Sequence, residues 1–215
     1  MIGREEIILR REGISPFLFH FCKGSNAFET LQNIICDGKI RDIKNSGYIC
    51  FTEAPLSQLV NLFNYFMERY PGNPMYAPYG IGISKRRFFD LGGRPVIYGK
   101  KEERDLLDKT IQWRFEPLNL SIRDFSWLRE WRIPLNKISF SPKGIMIITN
   151  TEDENNLICH ELVDNTPEWY EKKDDTFFDI RRCYMGVSME KVTSMVSKQD
   201  LIAYLIQQQD ELDWE

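Results

Sequence analysis

Between Pro16 and Lys23 the chain runs Phe17-Leu18-Phe19-His20-Phe21-Cys22, an aromatic and apolar stretch of strand length interrupted by one polar side chain. A run this short cannot hold an independent helix, so it reads as a buried strand that carries His20. Any fold that accepts it must supply neighbouring strands and a partner for one imidazole. Lys23-Gly24-Ser25-Asn26 ends the strand, and Phe28, Leu31, Ile34 and Ile35 then recur at three- and four-residue spacing. That spacing predicts a helix with one apolar face, opened by Ser25 or Asn26 and closed by Gly38.

A second strand is predicted over Tyr48-Ile49-Cys50-Phe51-Thr52. A second helix opens at Pro55-Leu56-Ser57, runs through Leu59, Leu62, Phe63 and Phe66, and stops before the loop Pro71-Gly72-Asn73-Pro74. Further on, strands outnumber long helices: Tyr79 to Ser84, Arg94 to Tyr98, Trp131 to Pro134 and Gly144 to Thr149, with a short basic helix from Lys85 to Phe89 and an exposed helix from Glu102 to Arg114. Alternate glycines at Gly80 and Gly82 suggest that something approaches the backbone closely there. The last third reads as a strand over Leu157 to Leu162, loop tips at Asn155-Asn156 and Asp174-Asp175, and a final helix over Asp200 to Gln209. No internal repeat or low-complexity block is present, and 215 residues suit one domain, 1–215, of α+β class.

Composition narrows the partners. The balance of 28 Lys+Arg against 32 Asp+Glu gives a net charge of -4, so no basic field calls for a nucleic-acid duplex or an anionic membrane. No apolar run reaches membrane-spanning length and the first thirteen residues are too charged for a signal peptide, so a cytoplasmic protein without membrane contact is expected. The 5 cysteines form no C-x-x-C pair, and only His20 and His160 could assist them, which excludes a disulfide framework or a structural zinc site; no metal is expected. The Walker loop, G-x-G-x-x-G, H-E-x-x-H and G-x-S-x-G are all absent.

What remains is His20 on its strand, Tyr79 at the head of another, and the carboxylate of Glu130 between Arg129 and Trp131-Arg132. Together with Leu31 to Ile40, Tyr48 to Ser57, Pro95 to Tyr98 and Trp127 to Ile133, in that order, the chain resembles the ADP-ribosyltransferase superfamily, in the branch that holds DarT-like toxins and AbiGi-like abortive-infection proteins. The resemblance spans about 16–150, leaving 151–215 as an extension. It implies a split, mostly antiparallel sheet with NAD, a substrate here, lying in the cleft. It assigns His20 to the adenosine-side ribose, Tyr79 to the nicotinamide ring with Tyr76 and Tyr98 as rivals, and Glu130 to the nicotinamide ribose. Phe21, Thr52 and Arg94 join His20 and Tyr79 as NAD-binding positions, and Lys23 or the amides of Gly24-Ser25-Asn26 would meet phosphate.

The chemistry wants such groups. Breaking the nicotinamide glycosidic bond builds positive charge on the ribose, which a fixed carboxylate stabilises. Trp127 and Trp131 would keep water from it. Each residue also has a plainer role: His20 as a satisfied core histidine, Tyr79 as packing, Glu130 as half of a surface ion pair. Three functions follow as expectations. The first is an ADP-ribosyltransferase acting as a toxin or anti-phage effector on a host protein or a nucleic acid, a single strand being gripped by Lys85, Arg86, Arg87 and Arg94 with Phe88, Phe89 and Tyr98. The second is an NAD glycohydrolase. The third is an idle, antitoxin-like member that binds a partner protein; in the first case, a cognate antitoxin would be that partner.

Overall fold

Strand β1 (Phe17–Phe21) alternates its side chains between two cores, Leu18 to one and Phe19 and Phe21 to the other, which fixes it inside a sheet covered on both faces. The computed structural model describes residues 13–121, 124–164, 178–195 and 197–212. After β1 come α1 (Ala27–Asp37), β2 (Lys39–Arg41), β3 (Ile49–Thr52), α2 (Leu56–Arg69), β4 (Gly80–Ser84), α3 (Lys85–Asp90), β5 (Arg94–Pro95), β6 (Ile97–Gly99) and β7 (Phe115–Pro117). The chain continues through β8 (Glu130–Ile133), β9 (Lys137–Ser139), β10 (Met146–Thr149), α4 (Glu152–Cys159), β11 (His160–Asp164), β12 (Phe178–Arg182), β13 (Met185–Ser188), α5 (Met189–Ser194) and α6 (Lys198–Leu212). The architecture is mixed α and β.

Seven strands form the main sheet in the order β13-β10-β4-β1-β3-β8-β5; its pairings are antiparallel except β10 with β13. One face packs Leu18, Ile81 and Ile147 against Leu31 of α1, Phe88 of α3 and the β2–β9 ribbon; the other packs Phe19, Phe21 and Met146 against Leu59 and Phe63 of α2, Val192 of α5 and Leu205 of α6. Helix α1 ends where Gly38 turns left-handed at φ 62°, its amide returning to Ile34 and Ile35. The glycines of β4 admit close neighbours: a Cβ at Gly80 would stand 2.5 Å from the His20 carbonyl oxygen and 2.8 Å from the Phe21 ring, and one at Gly82 would stand 2.9 Å from Met146 Cε.

The sheet is closed on one side of β1 and open on the other. Five residue pairs join β1 to β4, from Phe17↔Ser84 to Phe21↔Gly80, and the pairing runs on through Cys22 N–H to the Tyr79 carbonyl at 2.8 Å. A single pair, Phe19↔Thr52, joins β1 to β3.

Four expectations differ from the structure. The segment Glu102 to Arg114 forms two short 3-10 turns, Lys101–Leu106 and Gln112–Arg114, because Leu106 is 84% exposed and no buried face pulls the turns into one helix. The strand at Arg94 to Tyr98 divides into β5 on the main sheet and β6 paired with β7; between them Val96 N–H donates to the Glu130 carbonyl at 2.8 Å. Asn155-Asn156 lies within α4, started by a reciprocal cap between Thr151 and Glu154, and Asn155 is buried against Gly186. Leu157 to Cys159 still belongs to that helix, so the strand begins at His160. Asp174-Asp175 lies outside the described residues.

Candidate functional site

Where β1 and β3 part, a backbone carbonyl loses its ladder partner and an imidazole takes it. His20 Nδ1 lies 2.8 Å from the Cys50 carbonyl oxygen. A carbonyl only accepts, so Nδ1 carries the hydrogen and the neutral ring keeps Nε2 as an acceptor. Burial lowers the His20 pKa below its ordinary value, the bond to Cys50 opposes this, and nearby Lys23 lowers it further. The ring packs 5.4 Å from Phe51.

Two cavities meet at this seam, both bordered by His20, Phe21, Lys23 and Cys50. The smaller, about 70 Å³, continues to Thr52, Tyr76, Leu128 and Glu130. The larger, about 430 Å³, opens between α1, β2 and β3, floored by Ile34, Ile40 and Ile49 and rimmed by Lys39, Arg41 and Lys44. Glu130 reaches the seam because it stands opposite Thr52 across the β3–β8 ladder, and Thr52 stands opposite Phe19. Its amide donates to the Tyr98 hydroxyl at 3.1 Å, and its side chain is 13% exposed.

Arg132 holds that carboxylate. Two residues along β8 it shares the face of Glu130, and its Nε donates to Oε1 at 2.7 Å. Nη1 donates to the carbonyls of Trp113 at 3.2 Å and Phe115 at 2.9 Å, Nη2 to Glu116, and the guanidinium lies 4.3 Å over the Tyr48 ring. Arg132 is 4% exposed, and although burial works against its charge, Glu130 and Glu116 raise its pKa. The Cys50 thiol is driven up to about 12 by burial and then by Glu130, so it stays protonated at neutral pH. Lys23 is lowered by burial and by Lys44, against the pull of Glu130, and its ammonium lies 4.7 Å over the Tyr76 ring.

From the small cavity a row of rings leads outward. Tyr76 meets Trp127 edge-on at 6.1 Å and Phe66 at 6.1 Å, and Phe66 meets Tyr65 at 5.6 Å and Tyr70 at 6.5 Å. Tyr65 and Tyr70 are 54% and 50% exposed. Burial, then Glu130, raises the Tyr76 pKa and keeps its phenol protonated.

The sequence candidates thus separate. His20 and Glu130 border one cavity, with Thr52 and Phe21 in its wall. The Thr52 hydroxyl is used structurally, donating to the Leu128 carbonyl and accepting from Ala54 N–H at 3.1 Å, while the Phe21 ring meets Phe63 edge-on at 4.8 Å in the core. Tyr79 is elsewhere: its hydroxyl donates to Glu154 Oε1 at 2.9 Å and its ring packs on Phe28, so the tyrosine lining the small cavity is Tyr76. Arg94 sits on the sheet edge over Phe89, its Nη1 donating to the carbonyls of Phe89 and Gly93 at 2.9 and 2.7 Å. Trp131 faces the opposite core, where Glu53 takes its indole N–H at 2.8 Å and also pairs with Lys85. Lys85 is so engaged and Phe88 is wholly buried, so these two do not present themselves to the expected single-strand grip of Lys85, Arg86, Arg87 and Arg94 with Phe88, Phe89 and Tyr98.

Arg132 and the Tyr76–Trp127 contact are the site features the sequence reading missed. For Arg132 the signal was available: residues two apart on a strand share a face. Among the described residues no three His, Cys, Asp or Glu side chains are grouped to hold a metal ion, and no helix is long and apolar enough to cross a membrane. Comparison with protein-family models, curated proteins and solved structures finds no match.

Proposed function

We propose that the protein is an NAD-dependent ADP-ribosyltransferase, acting as a bacterial toxin or anti-phage effector. The observation that carries this reading is the meeting of His20, Lys23, Tyr76 and Glu130 around a cavity at the seam between β1 and β3. In this scheme the larger cavity takes the adenosine side of NAD, with His20 on its ribose. Lys23 faces the phosphates, Tyr76 replaces Tyr79 beside nicotinamide, and Glu130 faces the nicotinamide ribose. The bond from ribose C1′ to the nicotinamide nitrogen breaks, nicotinamide leaves with the electron pair, and the acceptor attacks C1′. Glu130 stabilises the positive ribose and takes the acceptor's proton.

The row of rings from Trp127 to Tyr70 favours a single-stranded nucleic acid as acceptor over a host protein, since bases stack on such faces. Calorimetry with NAD and a nicotinamide-release assay test the reading together. Glu130→Gln should lower turnover by about a hundredfold or more while leaving NAD affinity near that of the wild type. An absence of heat with NAD sinks it. A second reading, an idle antitoxin-like protein that binds a partner, draws on one observation: Arg132 already occupies Oε1 of Glu130. NAD binding without nicotinamide release in the presence of single-stranded DNA, RNA or cell extract favours that alternative.

A further inference from the structure

Arg132 meets two carboxylates with the side of its guanidinium that can grip one. Nε–H and the neighbouring Nη2–H lie parallel and form a fork on which a single carboxylate bonds through both oxygens. Here the fork is divided, Nε donating to Glu130 Oε1 at 2.7 Å and Nη2 to Glu116 Oε2. The guanidinium cannot turn to follow either acid. Nη1 is spent on the carbonyls of Trp113 and Phe115, the group lies over the Tyr48 ring, and the side chain is 4% exposed. Glu116 reaches it from β7, outside the main sheet, and is 31% exposed. Of the two acids, Glu130 is the one among the described residues that line the small cavity.

We infer that Glu116 is a positioning residue for Glu130, acting through Arg132: by holding Nη2 it limits Glu130 to one bond on the fork and leaves Glu130 Oε2 for the ligand in the small cavity. This rests on the NAD reading and names what keeps its carboxylate available. With Nη2 vacated, Glu130 is already bonded to the adjacent Nε and is placed to take both prongs. A bidentate grip on a fixed guanidinium is the stronger arrangement, so the carboxylate closes on the fork with Oε2 as well. That withdraws the oxygen which the positive ribose needs. Arg132 at Oε1 thus orients Glu130, provided that Glu116 occupies the other prong.

The test measures nicotinamide release and NAD affinity in the full chain carrying Glu116→Ala, Glu116→Ser or Glu116→Gln. Alanine and serine are too short to replace the bond to Nη2, whereas the glutamine amide oxygen can accept it. Glu116→Ala should lower turnover by about tenfold or more, the scale of a misplaced catalytic group, with NAD affinity near that of the wild type. Glu116→Ser should repeat the loss, and Glu116→Gln should restore most of it. In a Glu130→Gln background Glu116→Ala should add no further loss, because Glu116 acts only through Glu130. Full activity in Glu116→Ala overturns the inference, as does an equal loss in the alanine and glutamine variants or a loss that persists without Glu130. NAD affinity falling in step with turnover marks a merely structural role and also overturns it. Failure of the NAD reading looks different: the wild type itself then takes up no NAD, or Glu130→Gln releases nicotinamide as fast as the wild type, and the role of Glu116 falls with it.

Discussion

The two flanks of β1 solve the same problem differently. Toward β4 the ladder is complete over five pairs, and the β4 side chains that meet it are apolar or absent at Gly80, Ile81, Gly82 and Ile83. Toward β3 the ladder ends after one pair, and a side chain replaces a missing rung: His20 serves the Cys50 carbonyl. A buried carbonyl without a partner is costly, so a sheet that opens must bring polar side chains to the opening. That requirement accounts for the imidazole; the Glu130 carboxylate and the Lys23 ammonium border the same cavity through their places on β8 and just after β1. The open flank is therefore where chemistry is possible and where stability rests on polar contacts.

The largest effect should come from the polar flank. Arg132→Met leaves the half-buried Glu130 and Glu116 without their cation, and stability should fall by about 3 to 5 kcal/mol in urea denaturation. Adding Glu116→Gln and Glu130→Gln should recover part of that loss, which a merely bulky defect would not allow. On the closed flank Ile147→Ala removes a fully buried side chain of β10, and a loss of about 2 to 4 kcal/mol is expected by the same measurement. An Ile147→Ala variant as stable as the wild type would erase the contrast. His20→Ala comes third, at about 1 kcal/mol for one hydrogen bond to the Cys50 carbonyl. On the NAD reading it should also weaken NAD affinity more than it lowers the maximal rate, since its contact is remote from the bond that breaks; the reverse split would move His20 into acid or base chemistry.

The closed flank was largely legible in the sequence. Phe17 to Cys22, Tyr79 to Ser84 and Gly144 to Thr149 are apolar runs bounded by Gly, Pro or Asn, and each forms a strand of the sheet close to where its pattern places it. The Phe28-Leu31-Ile34-Ile35 stripe and Gly38 likewise gave α1 its face and its end. The site was harder to read because a strand head says nothing about which side of the sheet its loop will join. Tyr79 and Tyr76 are three residues apart, yet one is drawn to Glu154 on α4 and the other to Trp127. Thr151-Glu152-Asp153-Glu154 carried a capping signature, but the Asn155-Asn156 pair behind it has the composition of a loop, and only packing against Gly186 decides for the helix. Periodicity reports burial, whereas a hydrogen-bond partner distant in sequence is a property of the assembled sheet.

The smallest expected effect is also the most specific to the seam. Burial, with Lys23 nearby, outweighs the Cys50 bond and lowers the His20 pKa from its ordinary 6.5, so the folded chain holds this proton less tightly than the unfolded one. By linkage the imidazole favours folding fully above pH 6.5 and progressively less as pH falls from there toward the lower folded value. The urea midpoint of the wild type should therefore drop between about pH 7.5 and pH 5 more steeply than that of His20→Gln, whose amide can still donate to Cys50 but does not titrate. His160 is common to both proteins, so the difference between the two curves isolates His20. Parallel curves would mean that the imidazole is as free to take a proton in the seam as in the unfolded chain, and the seam would then be a solvated gap without the character of a pocket.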